Sequence, residues 1–508
     1  MSKSSSKPGL LSVIFLSVGT MIGSGWLFAA YYASKTAGSA SILSWIIGAV
    51  LVLFMALLLS EIAIKHPVNG LFTRLISISH NSHFGFVTAI SNWLLGLIVV
   101  PSEAIASTQY LASMYPPLTP YLFTDGLITT TGLGLAAIFM IFYLFVNFWG
   151  IRLLSKVNNV ITWVKVIVPI SVAVIIMIAA FDSGNFTAYK DSFMPFGATS
   201  IFAAIVSSGI FYSFFGFQAA ASFTSELPNP KRNIPIALVS SVLIVLVIYL
   251  LLQVAFIGAL PSEMITKGWA SLNFDSPLAQ LAGLLGLNFL VVILYADAFV
   301  SPSGTGLLYL GLNSRQLNEM VKHKQMPKAF GSRDRAVNFS RRALILTFIC
   351  SFVLIFFFRN WQLIASLTTT FIVISCMALP VAYDRMRKIT NELPVKLLPC
   401  SRVVAFLIFL CLSYFLLISG TKNLVVAFTL TFVFFVCYAL SVRPENKARS
   451  LIIAFGSSWG IFCYLLFVIL YGIIGLYVEG GVMYYVIYII VSAALYFQMV
   501  NQKSVDEI

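Results

Sequence analysis

Residues 9–33 read GLLSVIFLSVGTMIGSGWLFAAYYA, a stretch long and apolar enough to cross a bilayer as one helix. Its middle is unusual. Gly19, Gly23 and Gly25 cluster there with Ser24, and small residues at such spacing either let helices pack closely or interrupt one. A second run, near 199–225, carries a matching cluster: Gly209-Ile-Phe-Tyr-Ser-Phe-Phe-Gly216-Phe-Gln218. Working outward, the remaining apolar runs bring the total to about fourteen expected spans. The two interrupted runs then come first in two successive sets of five. A set with an odd number of spans must face the membrane opposite to its neighbour, so the pattern suits an inverted repeat. Interrupted helices at corresponding positions of two halves point to a transporter's binding site near the bilayer midplane.

The expected organisation is a tail over residues 1–8, a first repeat over 9–180, and a second over 199–383. Four further helices follow over 402–500, and then a tail over 501–508. Composition agrees with an all-α polytopic membrane protein. Of 508 residues, 59% are hydrophobic and 9% charged, where a soluble domain has roughly 45–50% and about 25%. That excludes a soluble enzyme, a disordered chain and a single-anchor receptor. Strands of a membrane barrel alternate rather than run continuously apolar, which excludes that architecture too.

The net charge of +14 is a topology signal. Of 31 Lys and Arg, 25 fall in segments that lie on one side of the expected spans. The positive-inside rule puts that side, and both termini, in the cytoplasm of a cell whose inner membrane the chain crosses. Lipid is therefore a partner, and nucleic acid is not. The longest basic loop, from Asn313 to Arg342 with Lys322, Lys324, Lys328, Arg333 and Arg335, reads as a solvated face. The first apolar run lacks a cleavage site of small residues and reads as a retained helix.

Charge inside hydrocarbon is costly, so an ionisable residue within a span is a functional candidate. Three qualify: Glu103 in the third expected helix, Lys165 in the fifth and Asp297 in the eighth. Structural pairing is the competing explanation for each. For Lys165, desolvation and a carboxylate or carbonyl neighbour act in opposite directions, which suits a group that gains and loses a proton. Tyr212, Phe214 and Phe215 flank the second interruption, and Gln218 lies just beyond it. Pro101, Pro169, Pro302 and Pro380 read as kinks. Cysteines 350, 376, 411, 437 and 463 fall in spans and Cys400 near the inner face, without metal-binding or disulfide spacing. Histidines 66, 80, 83 and 323 fall in or near inner loops. No cofactor, metal or catalytic set is expected, so the chain reads as a transporter before a channel or an intramembrane enzyme.

Ile22-Gly23-Ser24-Gly25, together with Phe217 to Pro235, FQAAASFTSELPNPKRNIP, resembles the amino acid–polyamine–organocation (APC) superfamily. Asn158 with Lys165 fits the same pattern. Within the superfamily the resemblance is to bacterial aspartate–proton symporters. It rests on Gly23-Ser24-Gly25-Trp26-Leu27-Phe28-Ala29, on Asp297 with Ser301-Pro302, and on Thr266-Lys267-Gly268-Trp269. It implies a five-plus-five inverted-repeat fold of the leucine-transporter type with four added helices. The activity implied is secondary active amino acid transport by proton symport, with exchange as the alternative.

Family roles then follow by position. Backbone N–H groups of Ser24, Gly25 and Trp26 beside Gly23 would bind the substrate carboxylate. The carbonyls of Ile22 and of the Tyr212-Ser213-Phe214 run would take the ammonium. Tyr212 and Phe215 would gate the site. Lys165, with Glu103 and Asp297, would carry proton coupling, and Asp297 or Ser301 would partner Lys165. Some family members have Glu where this chain has Gln218, so no proton-sensing role is expected there, and no arginine within a span is expected to grip an acidic side chain.

Overall fold

The structure, a computed structural model, describes residues 9–502 apart from 69, 150, 225–226, 332–339, 358, 391–395, 443–445 and 479–480. The N-terminal tail, most of the C-terminal tail, Arg333 and Arg335 lie outside the described residues, as does the side chain of Asn158.

The first part of the chain runs α1 (Leu10–Met21), α2 (Gly25–Ala37), α3 (Ser41–Lys65), α4 (Leu71–Ser79), α5 (Ser82–Met114), short α6 (Thr119–Leu122), α7 (Thr130–Trp149) and α8 (Ile151–Ala180). The second runs α9 (Ala198–Ser207), α10 (Ile210–Phe214), α11 (Pro230–Ala259), short α12 (Ser262–Thr266), α13 (Pro277–Leu284), α14 (Asn288–Lys322), α15 (Arg341–Leu354) and α16 (Trp361–Thr390). Four more follow: α17 (Ser401–Ile418), α18 (Thr421–Val442), α19 (Lys447–Ile474) and α20 (Val482–Asn501). A two-residue hairpin pairs Phe123 with Ile128.

The chain is an all-α membrane protein. Among the described residues eleven helices are long and apolar enough to span, or twelve with the bent pair α9–α10, against the fourteen expected. The difference has identifiable causes. The first apolar run is split into pieces of 12 and 13 residues. A 3₁₀ turn at Gly38–Ala40 links α2 to α3 within a single apolar run. Over the expected span at 342–358, α15 has only 14 helical residues.

Both interruptions are real. After Met21 the backbone becomes extended at Ile22 (φ −92°, ψ 95°), and helix resumes at Gly25. In the second, α9 stops, Gly209 takes φ +83°, Phe215 is extended and Gly216 takes φ +122°. Residues 198–207 and 210–221 are bent by 57° as a result. Positive φ is what only glycine adopts without steric cost.

The two interruptions are laced together. Ser17 Oγ donates to the Phe217 carbonyl at 3.1 Å and accepts from the Ala220 N–H at 3.0 Å. Thr20 Oγ1 lies 3.3 Å from the Gly216 carbonyl. Gln218 Oε1 accepts from the Gly216 N–H at 3.0 Å, so this side chain caps its own break. Around them α5 and α16 form the centre: 94% of the most apolar stretch of each is buried, against 22% in α20. α5 packs on α14 and α16, and α1 packs on α8 and α11.

Candidate substrate and coupling site

A helix interruption frees backbone groups that must find partners elsewhere. Here side chains from other helices supply them. The Ser24 N–H, at the start of α2, donates to Glu103 Oε2 at 2.7 Å. The Ile22 carbonyl accepts from Thr305 Oγ1 at 3.1 Å, and the Met21 carbonyl accepts from the Tyr249 hydroxyl at 3.2 Å. Glu103 is fully buried on α5. Its other oxygen accepts from the Tyr212 hydroxyl at 2.6 Å, and Tyr212 in turn lies 3.0 Å from Ser102 Oγ. A carboxyl group thus sits at the N-terminal end of α2, where free N–H groups and the helix dipole favour an acceptor.

Lys165, fully buried on α8, donates to the Gly19 carbonyl at 2.9 Å and to Thr305 Oγ1 at 2.6 Å. Thr305 therefore accepts from Lys165 and donates to Ile22, linking α8, α14 and the first interruption in one chain of hydrogen bonds. The expected partners, Asp297 or Ser301, do not fill this role. Asp297 lies eight residues from Thr305 on α14, about 12 Å of helix rise away. Neither of its carboxylate oxygens makes a hydrogen bond among the described residues.

Glycines at the interruption are required by space. A Cβ on Gly23 would lie 2.7 Å from Glu103 Oε1, and one on Gly25 would lie 2.4 Å from Ser213 Oγ. Of the aromatics expected to gate the site, Tyr212 and Phe215 line a central cavity of about 10 Å³ together with Thr20, Gly23, Glu103 and Tyr309. That volume admits about one water. Phe214 instead packs edge-on against Trp45 and Tyr249, away from the cavity. Ser213 bonds back to the Gly209 carbonyl at 2.8 Å. The Tyr212 carbonyl accepts from the Phe215 N–H at 3.1 Å, so it is already engaged.

Residues that the sequence did not single out close the site on both sides. Trp361 stacks on Phe28 with ring centres 4.9 Å apart and on Tyr32 at 5.7 Å. Its Nε1 donates to Ser24 Oγ at 2.8 Å. On the other side, the Tyr309 hydroxyl donates to the Phe215 carbonyl at 3.3 Å. Thr20, Phe215 and Tyr309 separate the central cavity from a larger one of about 220 Å³. That cavity runs to Gly70, Arg315 and Glu319 at the end of the molecule rich in Lys and Arg. Arg315 is a departure from expectation: α14 extends to Lys322, so this arginine belongs to a spanning helix and lines the cavity instead of opening a loop. The central cavity is thus closed on the Trp361 side and walled on the other by Thr20, Phe215 and Tyr309, beyond which the larger cavity runs to the basic end.

Comparison with known proteins agrees with this architecture. The family model described as "Amino acid permease" matches residues 9–495, taking in the last four helices. The chain is an APC-superfamily amino acid permease. The glutamate/serine transporter AimA of Bacillus subtilis is 39% identical to the permease over 388 residues, 76% of this chain and 72% of that one. The aspartate-proton symporter of the same organism is 27% identical over 478 residues, 93% of this chain and 90% of its own. Among solved structures, the Eremococcus coleocola manganese transporter superposes with a TM-score of 0.55 at 13% identity, covering 91% of the permease and 94% of that chain. MhsT in complex with L-phenylalanine gives 0.50 at 14% identity over 88% and 98%. At such identity the likeness concerns the fold, which is that of these transporters. The family consists of transporters and not enzymes, and the permease is an amino acid transporter that crosses the membrane many times.

Proposed function

We propose that the permease is a proton-coupled amino acid symporter working by alternating access, with the basic end and both termini in the cytoplasm. The observation that carries this reading is the Lys165–Thr305–Ile22 chain of hydrogen bonds. It ties a buried ammonium on α8 to the backbone on which a substrate would be held. Protonated, Lys165 binds the Gly19 carbonyl and Thr305 and braces the interruption. Deprotonated, it loses the charge that makes these hydrogen bonds strong, and the brace slackens. Proton movement and substrate movement then share one mechanical element.

Ser24, Gly25 and Trp26 N–H groups would receive the substrate carboxylate, which takes the position now held by Glu103. The Ile22 carbonyl, with those of Ser213 and Phe214, would face the ammonium, the Tyr212 carbonyl being taken by the Phe215 N–H. The relatives are named for glutamate, serine and aspartate transport, and these amino acids are the first to test. The experiment is uptake into proteoliposomes under an imposed pH gradient. Wild-type permease should accumulate substrate in proportion to the gradient, and Lys165→Ala should lose accumulation while retaining binding. Lys165→Arg should not restore it, because arginine does not give up its proton. Uptake that ignores the gradient and requires amino acid preloaded inside would make the permease an exchanger instead.

A further inference from the structure

Asp297 and Ser301 are four residues apart on α14 and share a face. They are 3% and 0% exposed, and Trp26 of α2, 1% exposed, is a polar neighbour of the Asp297 carboxylate. Both Asp297 carboxylate oxygens, Ser301 Oγ and Trp26 Nε1 are buried without a hydrogen bond among the described residues. Ser301 and Trp26 nevertheless turn their polar groups toward the carboxylate. Buried polar atoms in folded proteins are almost always paired, so four that converge and remain unpaired call for an explanation.

The surroundings narrow it. α5 is fastened here to both neighbours: Ser107 Oγ donates to the Ala298 carbonyl at 2.9 Å, and the Tyr110 hydroxyl donates to the Leu27 carbonyl at 3.2 Å. The titratable groups facing Asp297 are Lys165 from α8 and Tyr110 from α5. Lys165 spends its hydrogen bonds on Gly19 and Thr305, and a tyrosine hydroxyl brings no positive charge. The Lys165 charge acts on Asp297 only from a distance, and a buried carboxylate with no hydrogen bond of its own is costly unless something neutralises it. Here α2, the half-helix bearing Trp26, does the burying.

We propose that Asp297, Ser301 and Trp26 form a proton-binding site distinct from the Lys165 brace, filled from the side closed by Trp361, and that filling it permits α2 to close. The proton comes from water on that side and adds to one carboxylate oxygen, leaving a neutral carboxyl whose O–H faces Ser301. When α2 reopens, the proton returns to the same water. The site therefore sets how fast the permease closes at a given external pH, and does not set how many protons cross.

This deepens the symport reading and fails separately from it. The test is initial uptake rate in oriented proteoliposomes, with internal pH fixed and external pH varied. In wild type the rate should fall as external pH rises, by up to about tenfold per unit once the site is mostly empty. Asp297→Asn, neutral at every pH, should flatten that profile while accumulation still follows the gradient, the reverse of Lys165→Ala. Infrared difference spectra on raising the external pH should show loss of a protonated-carboxyl band that is missing in Asp297→Asn, a reading independent of transport. An unchanged rate profile in Asp297→Asn overturns the proposal. So does loss of accumulation in that variant, which would make the Asp297 proton a transported one. Replacement of the pH dependence by a sodium dependence would also overturn it, by making the site a metal-cation site.

Discussion

At the scale of single residues, the site turns on groups too small or too well placed to exchange. Gly25 meets Ser213 Oγ so closely that any Cβ would overlap it, and overpacking of this kind costs about 1–3 kcal/mol. Gly25→Val should therefore weaken substrate binding by roughly tenfold to a hundredfold, without loss of membrane insertion. Calorimetric titration of the purified variant checks this, and wild-type affinity would mean that α2 does not hold substrate. Glu103 and Lys165 stood out in the sequence because charge is rare in spans. Thr305 did not, although Gly304 and Gly306 beside it mark a place where other helices come close. Added Cβ atoms there would meet the Ile161 and Tyr143 side chains at 3.0 and 2.6 Å.

At the scale of elements, the interruptions were legible and their partners were not. Glycine clusters are local and can be read in order. The contacts that make them a site join residues far apart in the chain: Lys165 to Gly19, Thr305 to Ile22, Trp361 to Ser24. Nothing in local spacing encodes those pairs. The exact extent of helix was also illegible at α14, whose length carries Arg315 into the cavity wall. Gly209 links the second interruption to the Trp361 closure. It has φ +83°, and a Cβ there would lie 2.8 Å from Trp361 Cη2. Left-handed backbone costs an L-residue roughly 1–2 kcal/mol, so Gly209→Ala should lower thermal stability in detergent by at least that amount. It should also shift the fluorescence of Trp361 as the ring is displaced. A variant with wild-type melting and emission would show that the turn relaxes freely.

At the scale of the whole molecule, the last helices are fastened to the core at its basic end. His80, after α4, places Nε2 3.0 Å from the Met499 carbonyl on α20 and Nδ1 2.7 Å from Ser79 Oγ. Arg385 Nη1 donates to the Val500 carbonyl at 3.2 Å, and Asp384 is bonded by Arg402 and by Tyr496 of α20. Burial, helped by the Arg385 charge and opposed by the Met499 bond, pushes His80 down to about 3 from its ordinary 6.5. Above 6.5 the ring is neutral whether the chain is folded or not, and it costs nothing. As pH falls from 6.5 toward 3 the unfolded chain takes up the proton first, so stability is lost, by about 2 kcal/mol at pH 5. Melting temperature should fall between pH 7 and 5, and His80→Gln should flatten that part of the profile. An equal fall in the variant would assign it to other groups. The carboxylate that Glu103 offers to α2 bears on the carrier's return stroke. A carrier whose anion seat can be filled only by cargo must bring something back each time it turns over. Under the symport reading proposed above, a carboxyl group carried on the scaffold itself would serve as the ligand for the homeward leg, and the carrier would reset with its hands empty.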